Sequence, residues 1–107
     1  MRPIEFEILL SLAAGVRHGY AMIQDIAARR ESADSVETGT LYRALQRLVE
    51  QDLVAHAQRR RAPADHDERR RYYAITPAGR RAATAEARRM AALVDGARAA
   101  RLIPEGT

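Results

Sequence analysis

The chain has 107 residues, which at about 100 to 200 residues per domain allows one domain and not two. It has no Cys, so a disulfide scaffold, a Cys-ligated zinc or iron–sulfur site and thiol catalysis are all excluded. The net charge of +4 rests on 18 basic residues, all of them Arg, against 14 acids.

Apolar residues make up 47%, too many for a disordered chain, yet 22 of them are Ala. Only 24 are Leu, Ile, Val, Met or Phe, and 19 of these precede residue 77. The core is therefore expected in the first three-quarters of the chain, with a tail that needs a partner. The absence of Lys and Asn reads as coding bias, which lowers the weight of any single Arg. Charge is nonetheless focused: residues 1–58 carry −2, residues 59–71 carry +3 and residues 72–107 carry +3. Such focusing suits a polyanion, and equally a solvated Arg loop. The longest apolar run, 8–16, is half of a bilayer span, and no basic region precedes an apolar stretch at the start. These features predict a soluble cytoplasmic protein without a membrane segment.

Ile4, Ile8, Leu9 and Leu12 recur at helical spacing behind Pro3, predicting a helix over 3–14 that Gly15 to Gly19 breaks. A second helix is expected over 19–30, with Ile23, Ile26 and Ala27 on one face. The third, 38–51, has the clearest period, with Leu41, Ala44, Leu45, Leu48 and Val49 on one stripe. Its opposite side holds Gly39, Arg43, Gln46 and Glu50, flanked by Tyr42 and Arg47.

Beyond Asp52 the pattern becomes short and partly alternating at 53–58 and 70–75, predicting a two-stranded hairpin with an Arg-flanked loop. Tyr73 and Ile75 fall on its inner face, and Tyr72 is divided between packing and a phosphate contact. Thr76-Pro77 is a strong helix start. From 77 to about 101 one thin stripe appears, Ala83, Ala87, Met90, Val94 and Ala97, with Leu93 beside it. A helix of that kind packs against a copy of itself or another chain.

The fold class is thus mainly α with a small β-hairpin: a winged helix-turn-helix over 1–76, then a C-terminal dimerisation helix and tail over 77–107. In such a fold the third helix enters the major groove of double-stranded DNA and the hairpin lies along phosphates. Thr38, Gly39 and Thr40 would bring the helix start close to the duplex. Arg43 suits guanine and Gln46 adenine by bidentate pairing, while Arg69, Arg70 and Arg71 supply cations on the wing. Three-helix domains with hairpins also serve as interaction modules that bind protein and no DNA, and the −2 charge of 1–58 favours that alternative.

Catalysis finds no candidate. Ser11, Ser32 and Ser35 have no apparent base. His18, His56 and His66 lack ligand spacing, and Asp65-His66-Asp67 reads as a solvated loop tip. Gly15 and Gly19 lack the Lys of a phosphate loop. Neither a metal nor a cofactor is expected, and the chain does not read as an enzyme.

The run Gly39-Thr40-Leu41-Tyr42-Arg43-Ala44-Leu45-Gln46-Arg47-Leu48 resembles the recognition-helix signature of the PadR-like transcriptional regulators. His18-Gly19-Tyr20 resembles that family's entry to the second helix, and Arg69 to Gly79 its second wing strand and last-helix start. Order and separations agree across roughly residues 4 to 95. The resemblance implies a homodimeric, usually repressing DNA-binding protein on a pseudo-palindromic operator, dimerised by its C-terminal helix. It adds His18, Tyr20 and Tyr42 to the expected DNA contacts. In some members it also implies a small aromatic or lipophilic effector. Two positions depart from the pattern. Asp52 stands where the family usually has Gly, which calls for a left-handed or slightly shifted cap. Met90 stands where members that hold flat drugs often have Trp, so drug binding does not carry over.

Overall fold

Pro3, whose missing N–H costs nothing in a first turn, opens α1 (Pro3–Ala13) in a computed structural model that describes residues 1–30, 36–58 and 71–104. The backbone N–H of Arg2 donates to Glu5 Oε1 at 3.1 Å, closing the helix start. One side of α1 buries Ile8, Leu9, Ser11 and Leu12. The chain then reverses at Gly15, whose φ of 154° lies in a region that side chains with a β-carbon avoid.

The stretch expected only to break the helix also forms a short strand, β1 (Arg17–His18), before α2 (Gly19–Arg29). His18 caps α2, its Nδ1 accepting from the Ala21 N–H at 3.1 Å. Met22 and Ile26 are fully buried from α2, and Ile23 packs at the edge of the core. In α3 (Thr38–Glu50) the expected stripe is the buried one: Leu41, Ala44, Leu45 and Leu48.

The end of α3 is a Schellman turn. Asp52 N–H donates to Val49 O at 3.0 Å and Leu53 N–H to Leu48 O at 2.9 Å, and Asp52 sits at φ 60°. The left-handed cap expected at Asp52 is thus present. Leu53 then turns inward and β2 (Val54–Ala57) begins.

β2 pairs antiparallel with β3 (Tyr72–Ile75), setting Val54 opposite Ile75 and His56 opposite Tyr73. β1 adds to the other side of β3 through Arg17 opposite Tyr73 and His18 opposite Tyr72. The expected hairpin is thus present as β2 and β3, and β1 extends it to a three-stranded sheet in the order β1-β3-β2. Two residues cannot display alternation, so β1 leaves no period to read.

Thr76 joins sheet and last helix. Its Oγ1 accepts from the Gly79 N–H at 2.9 Å and donates to Asp52 O at 2.7 Å, and its N–H donates to Leu53 O at 3.1 Å. The last helix, α4 (Pro77–Ala99), starts so close to the α3–β2 turn that a β-carbon on Gly79 would fall on the Leu53 carbonyl oxygen. No other residue type fits there without moving backbone.

The core is one cluster fed by α1, α2, α3, β2 and β3, with Ala83 of α4 packed against it. Ile8, Leu9, Leu12, Met22, Ile26, Val36, Leu41, Ala44, Leu45, Leu48, Val54 and Tyr73 are buried. Each large member is worth roughly 1.5 to 3 kcal/mol once out of water. Their common task is to hold α3 with one side sealed and the other free.

Candidate nucleic-acid interface

With its apolar stripe sealed, α3 presents Thr38, Gly39, Tyr42, Arg43 and Gln46 to solvent, and Thr40 is half-buried at their edge. Arg43 Nη2 donates to Thr40 Oγ1 at 3.3 Å, and its guanidinium lies over Gly39. Gln46 Nε2 donates to Glu50 Oε1 at 3.3 Å. Such exposed contacts within one helix are worth only about 0.2 to 0.5 kcal/mol each. Both side chains can therefore exchange them for a duplex at little cost.

Arg47, placed by the helical wheel beside this outward face, turns the other way. Its Nε donates to Glu5 Oε2 at 3.1 Å, and Glu5 is only 7% exposed. Burial alone would raise the Glu5 carboxyl. The Arg2 N–H and the Arg47 guanidinium outweigh it and hold the group below its ordinary value. The pair is a strut from α1 to α3, formed across 42 residues of sequence.

Beside α3, the start of α2 carries two further expected contacts. Tyr20 is 60% exposed, which removes it from the core, and it stacks on the His18 ring at 6.5 Å. His18 also meets Tyr72 edge-on at 5.6 Å, so it spans strand and helix start together. Tyr42 packs across the α2 start with its ring against Gly19 while remaining 43% exposed.

On the wing, Arg71 is exposed immediately before β3, whereas Arg69, Arg70 and the Asp65-His66-Asp67 stretch lie outside the described residues. A cleft of about 390 Å³ runs between α3 and the wing, lined by Tyr42, Gln46, Val49, His56, Arg71 and Tyr73. The His56 and Tyr73 rings are 5.1 Å apart. Burial, with a push from Tyr42, raises the Tyr73 phenol above its ordinary value despite Arg71 nearby. It is therefore a neutral hydroxyl at physiological pH. His56, Val49 and Tyr73 were not among the expected site residues. The strand register, which sets His56 opposite Tyr73, brings those two to the cleft, and Val49 reaches it from α3.

The expected dimer stripe divides along α4. Ala83 packs on the core of its own chain, which accounts for it without a partner. Glu86 is buried between Arg89 and the terminal amine of Met1, 3.9 Å away. Farther out, Ala87, Leu93 and Val94 are exposed, and Met90 and Ala97 are half-buried. Leu93, at 62% exposure, is the largest apolar group left open on this helix. Among the described residues, no helix is long and apolar enough to cross a membrane, and no cluster of potential metal ligands occurs.

Helices α2 and α3 set against a three-stranded sheet, with the outer side of α3 bare and a wing beside it, define a winged helix-turn-helix protein. Residues 8–85 match the family described as the transcriptional regulator PadR-like family, and the chain belongs to it. Among solved structures it is similar to a PadR family transcription regulator from hypervirulent Clostridium difficile. That match has 20% identity and a TM-score of 0.74, covering 89% of this chain and 94% of the other. It is also similar to Bordetella bronchiseptica BpsR, described for the regulation of its DNA binding by 6-hydroxynicotinic acid. There the identity is 15% and the TM-score 0.68, over 90% of this chain and 59% of the other. A third is Bacillus subtilis PadR in complex with operator DNA, at 18% identity and TM-score 0.62, over 78% and 46%. Among proteins of curated function, none matches the chain.

Proposed function

We propose that the chain is a sequence-specific DNA-binding regulator, a repressor that acts as a homodimer on a pseudo-palindromic operator. The observation that carries this reading is the division of α3: Leu41, Ala44, Leu45 and Leu48 sealed in the core, with Tyr42, Arg43 and Gln46 exposed on the other side. In this reading Arg43 and Gln46 reach base edges, and Thr38, Gly39 and Thr40 let the helix start approach the backbone. Tyr20 and His18 flank the same groove, and Arg69, Arg70 and Arg71 follow the phosphates. The outer part of α4, from Ala87 through Met90, Leu93, Val94 and Ala97, meets its copy in the partner subunit.

Family membership supports transcriptional regulation rather than catalysis. The operator-bound Bacillus subtilis PadR supports DNA as the partner. The regulation of BpsR DNA binding by 6-hydroxynicotinic acid supports including a small-molecule effector.

A salt titration of duplex binding tests the proposal. A dimer neutralising about 6 to 10 phosphates should show log affinity falling linearly with log salt, by about 0.9 per phosphate. Replacing Arg69, Arg70 and Arg71 with Ala should flatten that slope on specific and random duplexes alike. The −2 charge of residues 1–58 favours a second reading, an interaction module without DNA binding. Absence of any salt-dependent duplex binding would establish that reading instead.

A further inference from the structure

The 390 Å³ cleft lies between α3 and the described part of the wing, the two elements that face DNA in the proposed reading. If α3 lies in the major groove with the wing beside the adjacent minor groove, one strand of the duplex separates the two. That strand must cross the cleft. This consequence rests on the DNA-binding reading and on the geometry of a duplex, and it can be compared with the chemistry of the cleft walls.

The walls suit an oxyanion. Arg71 supplies a guanidinium, His56 a ring N–H and Tyr42 and Tyr73 phenolic hydroxyls, and among the described residues no carboxylate lines the space. Tyr73 is held neutral by burial and so can donate. His56 carries an N–H in either protonation state. Among the described residues no hydrogen bond or ion pair occupies the side chain of Arg71 or His56. Gln46 is less committed to the cleft, since its amide nitrogen donates to Glu50.

A second cleft, lined by Met1, Arg2, Glu5, Arg47, Leu48, Gln51 and Leu53, shows the contrast. Its Arg47 already serves Glu5, so that guanidinium is paired within the cleft.

We propose that the cleft between α3 and the wing seats one backbone phosphate of the bound duplex, held by His56 and Arg71 with the hydroxyls of Tyr42 and Tyr73. His56 and Tyr73 thereby become DNA-contacting residues. Because the phosphate bridges helix and wing, it fixes the reading side chains in register along the groove. The Cα trace supports the placement, since the β2–β3 register puts His56 and Tyr73 directly opposite each other. The rings stay 5.1 Å apart, close enough to face one group together.

The test pairs protein variants with single-phosphate substitutions. A duplex is first selected from a random pool on the wild-type protein, then resynthesised with one neutral methylphosphonate at each backbone position in turn. Wild type should lose affinity at several positions. His56→Ala should weaken the unmodified duplex about tenfold, as expected for a lost hydrogen bond to a charged group. It should also become insensitive to methylphosphonate at one position per half-site, keeping wild-type sensitivity elsewhere. Arg71→Ala should lose sensitivity at that same position. His56 is exposed, so its thermal midpoint should match wild type.

If His56→Ala keeps the wild-type profile, or loses affinity evenly at all positions, the proposal is overturned while DNA binding stands. If wild type retains no duplex at any stage, the DNA-binding reading fails and the phosphate site with it.

Discussion

The Tyr42 hydroxyl on α3 occupies the space that a β-carbon on Gly19, at the start of α2, would need. The two helices of the DNA-facing unit therefore meet through a glycine on one and a phenol on the other. Gly19→Ala should push the Tyr42 ring outward, a move open to it because the ring is partly exposed. Duplex affinity should fall several-fold with little change in thermal midpoint. In a Tyr42→Ala background the same change should cost almost nothing more, a non-additivity expected of residues in contact. Equal losses in both backgrounds would separate the two residues.

Asp52 adopts φ 60° to close the Schellman turn, a conformation that a residue with a β-carbon enters at a cost. Asp52→Gly should stabilise the protein by about 0.5 to 1 kcal/mol, raising the midpoint by a few degrees. The Thr76 hydroxyl bonds the backbone oxygen of residue 52, which the substitution retains. A melting curve that moves down would show that the Asp side chain has a role of its own.

The Glu5–Arg47 strut has a pH signature. Glu5 is held below its unfolded value, so its contribution is complete above about pH 4.3 and is lost as pH falls through the lower, folded value. Glu5→Gln should cost about 1 to 3 kcal/mol at pH 7. Its stability should also decline less steeply than that of wild type below pH 4.3. Denaturant titrations at pH 7 and pH 3.5 measure both effects. Because the strut fixes the inner flank of α3, operator affinity should fall while non-specific binding changes less.

The proposed dimer seam is tested at Leu93 and Met90. Leu93→Asp or Met90→Asp would place two carboxylates at or near an apolar two-fold contact, where burial of the charge is costly. The variants should sediment as monomers at micromolar concentration and lose operator affinity with α3 untouched, since half-sites one helical turn apart need a fixed pair. A wild type that is itself monomeric would refute the seam.

Where the sequence was informative, one period dominated. The α3 stripe of Leu41, Ala44, Leu45 and Leu48, the Thr76-Pro77 start of α4 and the strand pair all follow from local spacing, and their boundaries fall within a residue or two. The outward placement of Arg43 and Gln46 follows from the same period. Arg47 could not be placed this way: its partner Glu5 lies 42 positions earlier, and a helical wheel knows nothing of a neighbouring helix. His56 shows another limit, because its role depends on the register across the wing, which local patterns leave open. Ala83 fits the α4 stripe as well as Met90 does, yet it faces the chain's own core. Periodicity names a face without saying what covers it.

The union at Gly79 and Thr76 also makes α4 a lever. Gly79 is pressed against the Leu53 carbonyl and Thr76 is bonded to the backbone of Asp52 and Leu53, so the helix leaves the winged unit at a set angle. Ala83 and Glu86 still hold it to its own chain, and beyond them the last 13 residues of α4 reach about 20 Å, so that a bend of some ten degrees there would move the far end by about 3 Å. In the proposed dimer, a molecule that tilted both arms would therefore carry the two α3 helices out of step with the turns of a duplex without touching either.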